Sequence, residues 1–218
     1  MAITRLLLIR HGQSAKNVEG SFGGHSDTPL SPLGLVQAKT TANALKTENI
    51  AKIYSSDLRR AVDTARPLGE LLELEIELAP AFRERNVGRL EGLTFEETKK
   101  RFTRDYYALV NRKIDYRIPD GESYRDVIER TSKQLEEVIE LNRGEEIAIF
   151  SHTGAICFMT LSLLNAIDET TRRTPWLVTS NCGINRFEIR KRRDVRVIAL
   201  NDTRHLLENT GNDSFSGE

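Results

Sequence analysis

"LLLIRHGQSAKN", residues 6–17, opens on four unbroken hydrophobes and then turns abruptly to an arginine, a histidine and a glycine. A short apolar run bounded by turn formers reads as a strand buried on both faces. Such strands belong to parallel sheets covered by helices on either side, so the stretch points to an α/β fold. Its end is less ordinary. Arg10 and His11 are either the solvated tip of a strand or part of a reactive centre, and the rest of the chain decides which.

Further strand-like runs lie at 50–54, 75–78, 147–150, 184–189 and 195–200, with helical patterns between them. Ser31 can cap a helix with Pro32 in its first position, where a missing N–H costs nothing. Leu35, Ala38, Ala42 and Leu45 then recur at helical spacing. A second helix is predicted from Asp57, with Leu58, Ala61, Ala65, Leu68 and Leu72 on one face and Pro67 kinking or splitting it near Arg66. "YRDVIERTSKQLEEVIEL" (124–141) and "GAICFMTLSLLNAI" (154–167) complete the set, the latter apolar enough to be largely buried. Strands alternating with helices predict a sheet with helices on both faces. The link "RKRRD" (190–194) is too short for a parallel crossover, so the last two strands should form an antiparallel hairpin at an edge, with the basic run as a solvated turn. Residues 93–124 are charged and strand-poor, and read as a helical insertion within one domain spanning 1–205 rather than as a second domain. The polar end, 209–218, is expected to be disordered.

Composition narrows the function. The chain has 218 residues, and its 32 basic and 32 acidic side chains cancel, so no overall field favours nucleic acid or an acidic membrane. The apolar stretch near the N-terminus is too short and too closely flanked by arginine for a signal peptide, and no run approaches a membrane span. Cys157 and Cys182 sit in hydrophobic surroundings and read as buried thiols of a cytoplasmic protein. Oligomeric state stays open: the late hairpin could serve as a homodimer edge, but nothing in the sequence demands it.

Three strand ends carry the chemistry. The first runs into Arg10-His11-Gly12, the second into Ser55-Ser56-Asp57 followed by Arg59 and Arg60, and "IAIF" runs into Ser151-His152-Thr153-Gly154. If these strands are parallel, all three junctions meet on one rim, at the carboxyl ends where open α/β sheets bind ligands. Two histidines with arginines and few carboxylates suit an anion and not a metal, and no HExxH, CxxC or DxD spacing occurs. Arginine matches phosphate oxygens, helix N-termini add N–H donors, and neighbouring cations keep an imidazole neutral and nucleophilic. The pattern predicts a phosphate pocket with a histidine nucleophile. Glu84 in "AFRERNVGRLEG" (81–92) is the candidate proton donor, its acid form favoured by a bound phosphate and partial burial. Glu91, Glu96 and Glu97 are nearby, and Glu84 between Arg83 and Arg85 also fits a surface ion pair.

These blocks together resemble the histidine phosphatase superfamily, also called the phosphoglycerate mutase-like family, with its RHG signature. The likeness runs in order through "SFGGHSDTPLSPLGLVQA" (21–38), "YSSDLRRAVDTA" (54–65), "RERNVGRLEG" (83–92), "PDGESYRDVIER" (119–130), "IAIFSHTGAI" (147–156) and "NDTRHL" (201–206). It implies a three-layer α/β sandwich around a mostly parallel central sheet, with the helical insertion over the active-site rim. It also implies that His11 is transiently phosphorylated, with Arg10, Arg60 and His152 holding the phosphoryl group and Glu84 as acid. Arg60, not Arg59, directly precedes the alanine of the family's "LxRAxxTA" pattern. Asn17, Gly24 and the Thr153 backbone are the implied substrate contacts, and no metal or cofactor is implied. The partner is then a small phosphorylated metabolite.

The family comprises phosphatases and mutases. Mutases carry an "ERHYG" block followed by "GLNK", whereas this chain has "ERNVGRLEGLTF" (84–95), with Asn86-Val87 in place of His-Tyr and no lysine. That favours a phosphatase. Arg85, and Arg112 with Lys113 in the insertion, keep a cofactor-dependent mutase as the alternative, and a binding module without catalysis ranks below both. Specificity is expected in 21–25 and 93–124, where Arg104, Tyr106, Tyr107, Arg112 and Lys113 could touch substrate. His25 is expected at the entrance and His205 in a structural role.

Overall fold

A computed structural model describes residues 2–191 and 194–210. Six strands form one sheet in the order β3-β2-β4-β1-β5-β6: β1 (Thr4–Arg10), β2 (Ile50–Ser55), β3 (Ile76–Leu78), β4 (Glu146–Ser151), β5 (Ile184–Lys191) and β6 (Asp194–Asp202). β1 to β4 are parallel; β5 runs antiparallel to β1, and β6 antiparallel to β5. The fold is α/β with a mostly parallel sheet, and the edge hairpin is where the short link requires it. Residues 192–193 of that basic link lie outside the described residues, as do 211–218 of the tail expected to be disordered. Asn209 and Thr210, placed in the same tail, instead end a run of 3-10 turns (Arg204–Thr210), and their carbonyls accept from Gln37 Nε2.

Strand alternation divides the core into two layers. Leu6 and Leu8 of β1, with Ile147 and Ile149 of β4, pack against Leu135 and Val138 of α6 (Tyr124–Leu141) and Ile156 and Met159 of α7 (Thr153–Leu163). Leu7 and Ile9, with Ala148 and Phe150, face Ala42 and Leu45 of α2 (Pro32–Leu45) and Ala65 and Leu68 of α3 (Arg59–Leu72). Each face of a pleated strand thus meets its own helical layer, which is why these strands are apolar throughout and do not alternate. The short α1 (Ala15–Glu19) follows β1 directly.

Three helical expectations need correction. Leu35 is 51% exposed, while Gln37 is fully buried in its stead. Gln37 holds that place through polar pairing: its Oε1 accepts from Gln13 N–H, and its Nε2 donates to the carbonyls of Asn209 and Thr210. The second helix begins at Arg59, because Asp57 is bound by Arg83 and does not cap it. Pro67 does not split it. Ala61, Ala65 and Leu68 hold both halves on one core, and that packing outweighs the roughly 3 kcal/mol penalty of an interior proline.

The insertion comprises α4 (Phe95–Arg101) and α5 (Thr103–Val110), then irregular chain to α6. Its anchor is Asp105, fully buried, whose Oδ2 accepts from Arg89 Nε and Nη2 at 2.9 and 2.7 Å and whose Oδ1 accepts from Tyr116 Oη.

Candidate active site

Parallel β1, β2 and β4 deliver their three junctions to one rim, as the strand pattern required. His11 and His152 lie with ring centroids 5.1 Å apart, although they are far apart in sequence. Arg10, His11, Arg60 and His152 are all buried; the first three line a cleft of about 300 Å³, and His152 lies outside its wall, against His11.

Hydrogen bonding sets the orientation of each group. His11 Nδ1 lies 2.7 Å from the Gly12 carbonyl, which can only accept, so Nδ1 carries the proton and Nε2 keeps its lone pair. Burial first, then the charges of Arg60 and Arg10, hold the imidazole well below the usual histidine range and therefore neutral at pH 7. The backbone is pinned as well: His11 N–H donates to Ser151 O, and its carbonyl accepts from Asn181 Nδ2. Gly12 is required by close approach and not by an unusual turn, since a Cβ there would sit 2.7 Å from Gly34 O.

His152 Nε2 is 2.9 Å from Ser56 Oγ, and Oγ accepts the Leu58 N–H. With the Ser56 hydroxyl donating to Nε2, the single proton of the neutral ring sits on Nδ1. That buried Nδ1 finds no hydrogen-bond partner among the described residues. Burial, Arg60 and His11, in that order, also keep His152 neutral. Its Nδ1–H is a neutral donor beside a neutral nucleophile.

Arg60 donates to Gly24 O at 2.9 Å and Ser26 O at 3.1 Å; burial lowers it to about 10, so it stays charged at neutral pH. Arg59 points away, 56% exposed and paired with Asp63. Arg10 Nη1 donates to Thr179 O. Asn17 Oδ1 accepts from Ser14 N–H and Oγ in a capping box at the start of α1, which fixes the carboxamide at the cleft wall. Thr153 and Gly154 form the first turn of α7, whose positive dipole end faces the cleft.

Glu84 also lines the cleft. Its Oε1 accepts from Arg85 N–H and its Oε2 from Gly154 N–H, at 2.9 and 3.0 Å. The ion-pair reading fails, because Arg83 is bound to Asp57 and Arg85 turns inward. Arg85 donates to the carbonyls of Glu122 and Tyr116 and lies 4.0 Å from the Tyr124 ring centroid. Its Nη1 is buried with no hydrogen-bond partner among the described residues.

Of the rim candidates, Gly24 and Arg112 line the cleft, whereas Arg104, Tyr106, Tyr107 and Lys113 do not. Arg104 lies over the Tyr116 ring. His25 is not at the entrance: its ring donates to the Glu84 carbonyl at 2.7 Å. His205 is structural, donating to Thr41 Oγ1. Phe22 lies in the 21–25 segment expected to set specificity, whereas Gly154, Lys16 and the rest of the apolar wall, Val87, Trp176 and Val178, carry no such expectation. Gly154 stood in a quoted motif, but its contact with Glu84 is purely tertiary; the lone tryptophan was the only signal for the last wall. Among the described residues no cluster of His, Cys, Asp and Glu could hold a metal ion, and no helix is long and apolar enough to cross a membrane.

Comparison with known proteins places this geometry. The family model for the histidine phosphatase superfamily (branch 1) matches residues 6–203. A metal-independent phosphoserine phosphatase of Arabidopsis thaliana is 32% identical over 167 residues, covering 75% of this chain and 70% of that one. A probable phosphoglycerate mutase of Enterobacter sp. (strain 638) is 34% identical over 189 residues, covering 84% of each. Among solved structures, the mycobacterial glucosyl-3-phosphoglycerate phosphatase superposes with a TM-score of 0.79 at 27% identity, over 92% of this chain and all of that one.

Proposed function

The chain belongs to the histidine phosphatase superfamily, and on that premise we propose that it hydrolyses a small phosphate monoester through a phosphohistidine at His11, without a metal. The observation that carries this reading is the pairing of a neutral His11, its Nε2 lone pair kept by the Nδ1–Gly12 bond, with buried Arg10 and Arg60. A cationic pocket beside a neutral nucleophile suits attack on a phosphate dianion.

Arg10, Arg60, His152 Nδ1–H, Asn17 and the Thr153 N–H hold the phosphoryl oxygens. His11 Nε2 attacks phosphorus; the P–O bond to the alcohol breaks, and Glu84 transfers its proton to the departing oxygen. Water, deprotonated by Glu84, then attacks phosphohistidine; the P–N bond breaks, and phosphate leaves with His11 neutral again.

Phosphatase is favoured over mutase by the wall facing the phosphate cluster. It is apolar, with Val87 in place of a polar grip, while Lys113 stands outside the cleft and two of the Arg85 nitrogens are held by backbone carbonyls. Arg112 at the cleft supports the mutase alternative. Incubation with 3-phosphoglycerate and catalytic 2,3-bisphosphoglycerate separates the two. We expect phosphate release, and conversion to 2-phosphoglycerate much faster than release would overturn the phosphatase reading. A panel including phosphoserine, phosphoglycolate and sugar phosphates identifies the substrate. Acid-quench trapping of a phosphoenzyme, absent in His11→Ala, tests the nucleophile and excludes a binding module without catalysis.

A further inference from the structure

The segment that carries Glu84 has no regular secondary structure of its own. Residues 80–82 make one 3-10 turn, and Arg83 to Val87 are extended or irregular chain between that turn and the next. An acid on such a loop needs outside support to hold a proton-transfer distance, because loops are the softer parts of a fold.

That support comes from Arg130, on the second half of the "PDGESYRDVIER" block. Its Nη1 donates to the carbonyls of Ala81 and Arg83, at 2.7 and 2.9 Å. Its Nη2 donates to Glu84 O at 2.8 Å and Glu122 Oε2 at 2.9 Å, and Nε donates to Glu122 Oε1 at 2.8 Å. A guanidinium has five N–H donors in a fixed plane, and here all five have acceptors. Three of these lie on the main chain of the acid loop, including the carbonyl of the acid itself. The Glu122 carboxylate extends the grip, since its Oε2 also accepts the Asn86 N–H, and Glu122 N–H donates to Asn86 O. Burial alone would raise the Glu122 carboxyl, but Arg130 and the Asn86 N–H outweigh it and keep the group below its usual range. His25 supplies one more donor to Glu84 O. Arg130 does not line the cleft and has no N–H left for a substrate, so no substrate contact accounts for this arrangement.

Building on the reading of Glu84 as the acid, we propose that Arg130 is a positioning residue: through the main chain of residues 81–84, and with Glu122 as its counter-ion, it sets where the Glu84 carboxyl meets the leaving oxygen. Lysine, with three donors at one point, cannot span the four acceptor groups, and glutamine offers two.

Leaving-group dependence of kcat/KM distinguishes positioning of an acid from general structural support. 2,4-Dinitrophenolate departs without a proton, whereas the alkoxide of glycerol phosphate does not. In Arg130→Lys, Arg130→Gln and Glu122→Gln, kcat/KM for glycerol phosphate should fall by about 100-fold, the scale of a 1 Å misplacement, with little change for 2,4-dinitrophenyl phosphate. Combining Arg130→Gln with Glu84→Gln should lose no more than Glu84→Gln alone. An equal loss on both esters, an additive double variant, or no loss would overturn the proposal. Glu122→Gln preserves the shape of the pair, so the test stands even if Arg130→Gln does not fold. If Glu84→Gln itself shows no leaving-group selectivity, the acid assignment fails first, and it fails independently of Arg130.

Discussion

Gly154→Ala separates stability from chemistry at a single methyl group. Gly154 sits in the first turn of α7, and its N–H holds Glu84 Oε2. A Cβ built there lands on Glu84 Oε1, 3.2 Å from Cδ and 3.4 Å from Oε2. Since ordinary contact begins near 3.4 Å, the carboxylate must retreat by roughly 1 Å, a displacement that costs about 100-fold where proton transfer depends on position. Alanine replaces glycine in a helix with helical backbone angles, a gain of up to about 1 kcal/mol that offsets the weakened Arg85 and Gly154 N–H bonds to the displaced carboxylate, each worth about 1 kcal/mol. The expected variant stays within about 1 kcal/mol of the parent in stability but is about 100-fold slower on phosphoserine or another alkyl phosphate. Thermal melting and kcat/KM on the same preparation measure both. Glu84→Asp provides the internal control: a side chain one methylene shorter leaves room for the new methyl, so Gly154→Ala should cost little in a Glu84→Asp background. Parental turnover by Gly154→Ala would refute the reasoning, because it would mean the Glu84 carboxyl need not stand where Gly154 allows it.

Three further outcomes follow from the site. Arg60→Ala should lose most activity and inorganic-phosphate inhibition, whereas Arg59→Ala should stay within about 0.5 kcal/mol in stability and at parental rate, as expected for an exposed side chain. Ser56→Ala removes the hydroxyl bonded to His152 Nε2, and the inhibition constant for inorganic phosphate should weaken by about tenfold, one hydrogen bond's worth. Stability should depend on pH in a stated direction. The folded state protonates His11 and His152 only well below 6.5, while the unfolded chain does so near 6.5. Between those limits the unfolded chain binds more protons, so stability rises with pH and falls on acidification below about 6.5, by about 1.4 kcal/mol per pH unit per histidine. Urea denaturation from pH 7.5 to 5 reads the slope, which should flatten in the His11→Asn, His152→Asn double variant.

Much of the site could be read from residue order because its parts sit at element ends. An apolar run stopping at Arg10-His11, another stopping at His152, and Arg60 in the first turn of a helix announce themselves wherever strands are parallel. Side-chain direction was harder to read. Leu35 fits a helical period yet faces solvent, because buried Gln37 is needed to hold Gln13 and the 209–210 backbone, a polar requirement that periodicity does not register. His25 was placed at the entrance from its position in a motif, but its ring is drawn to the Glu84 carbonyl. Arg112 and Lys113 are adjacent in sequence, yet only Arg112 meets the cleft: Arg112 has a left-handed φ of 50°, and Lys113 is drawn into an isolated antiparallel bridge with Arg173.

By itself the sequence determined that the chain is an α/β protein with a two-sided sheet, and that two histidines and two arginines would meet at its rim. Hydrophobic period and strand direction are local properties, and convergence at the carboxyl ends follows from them. Only the tertiary structure decided how the acid is held. The Arg130 guanidinium, the Gly154 amide and the His25 ring reach Glu84 from three separate segments, through contacts that no spacing along the chain encodes. The same is true of the apolar wall from Phe22 to Trp176, since a wall exists only once its segments are packed side by side.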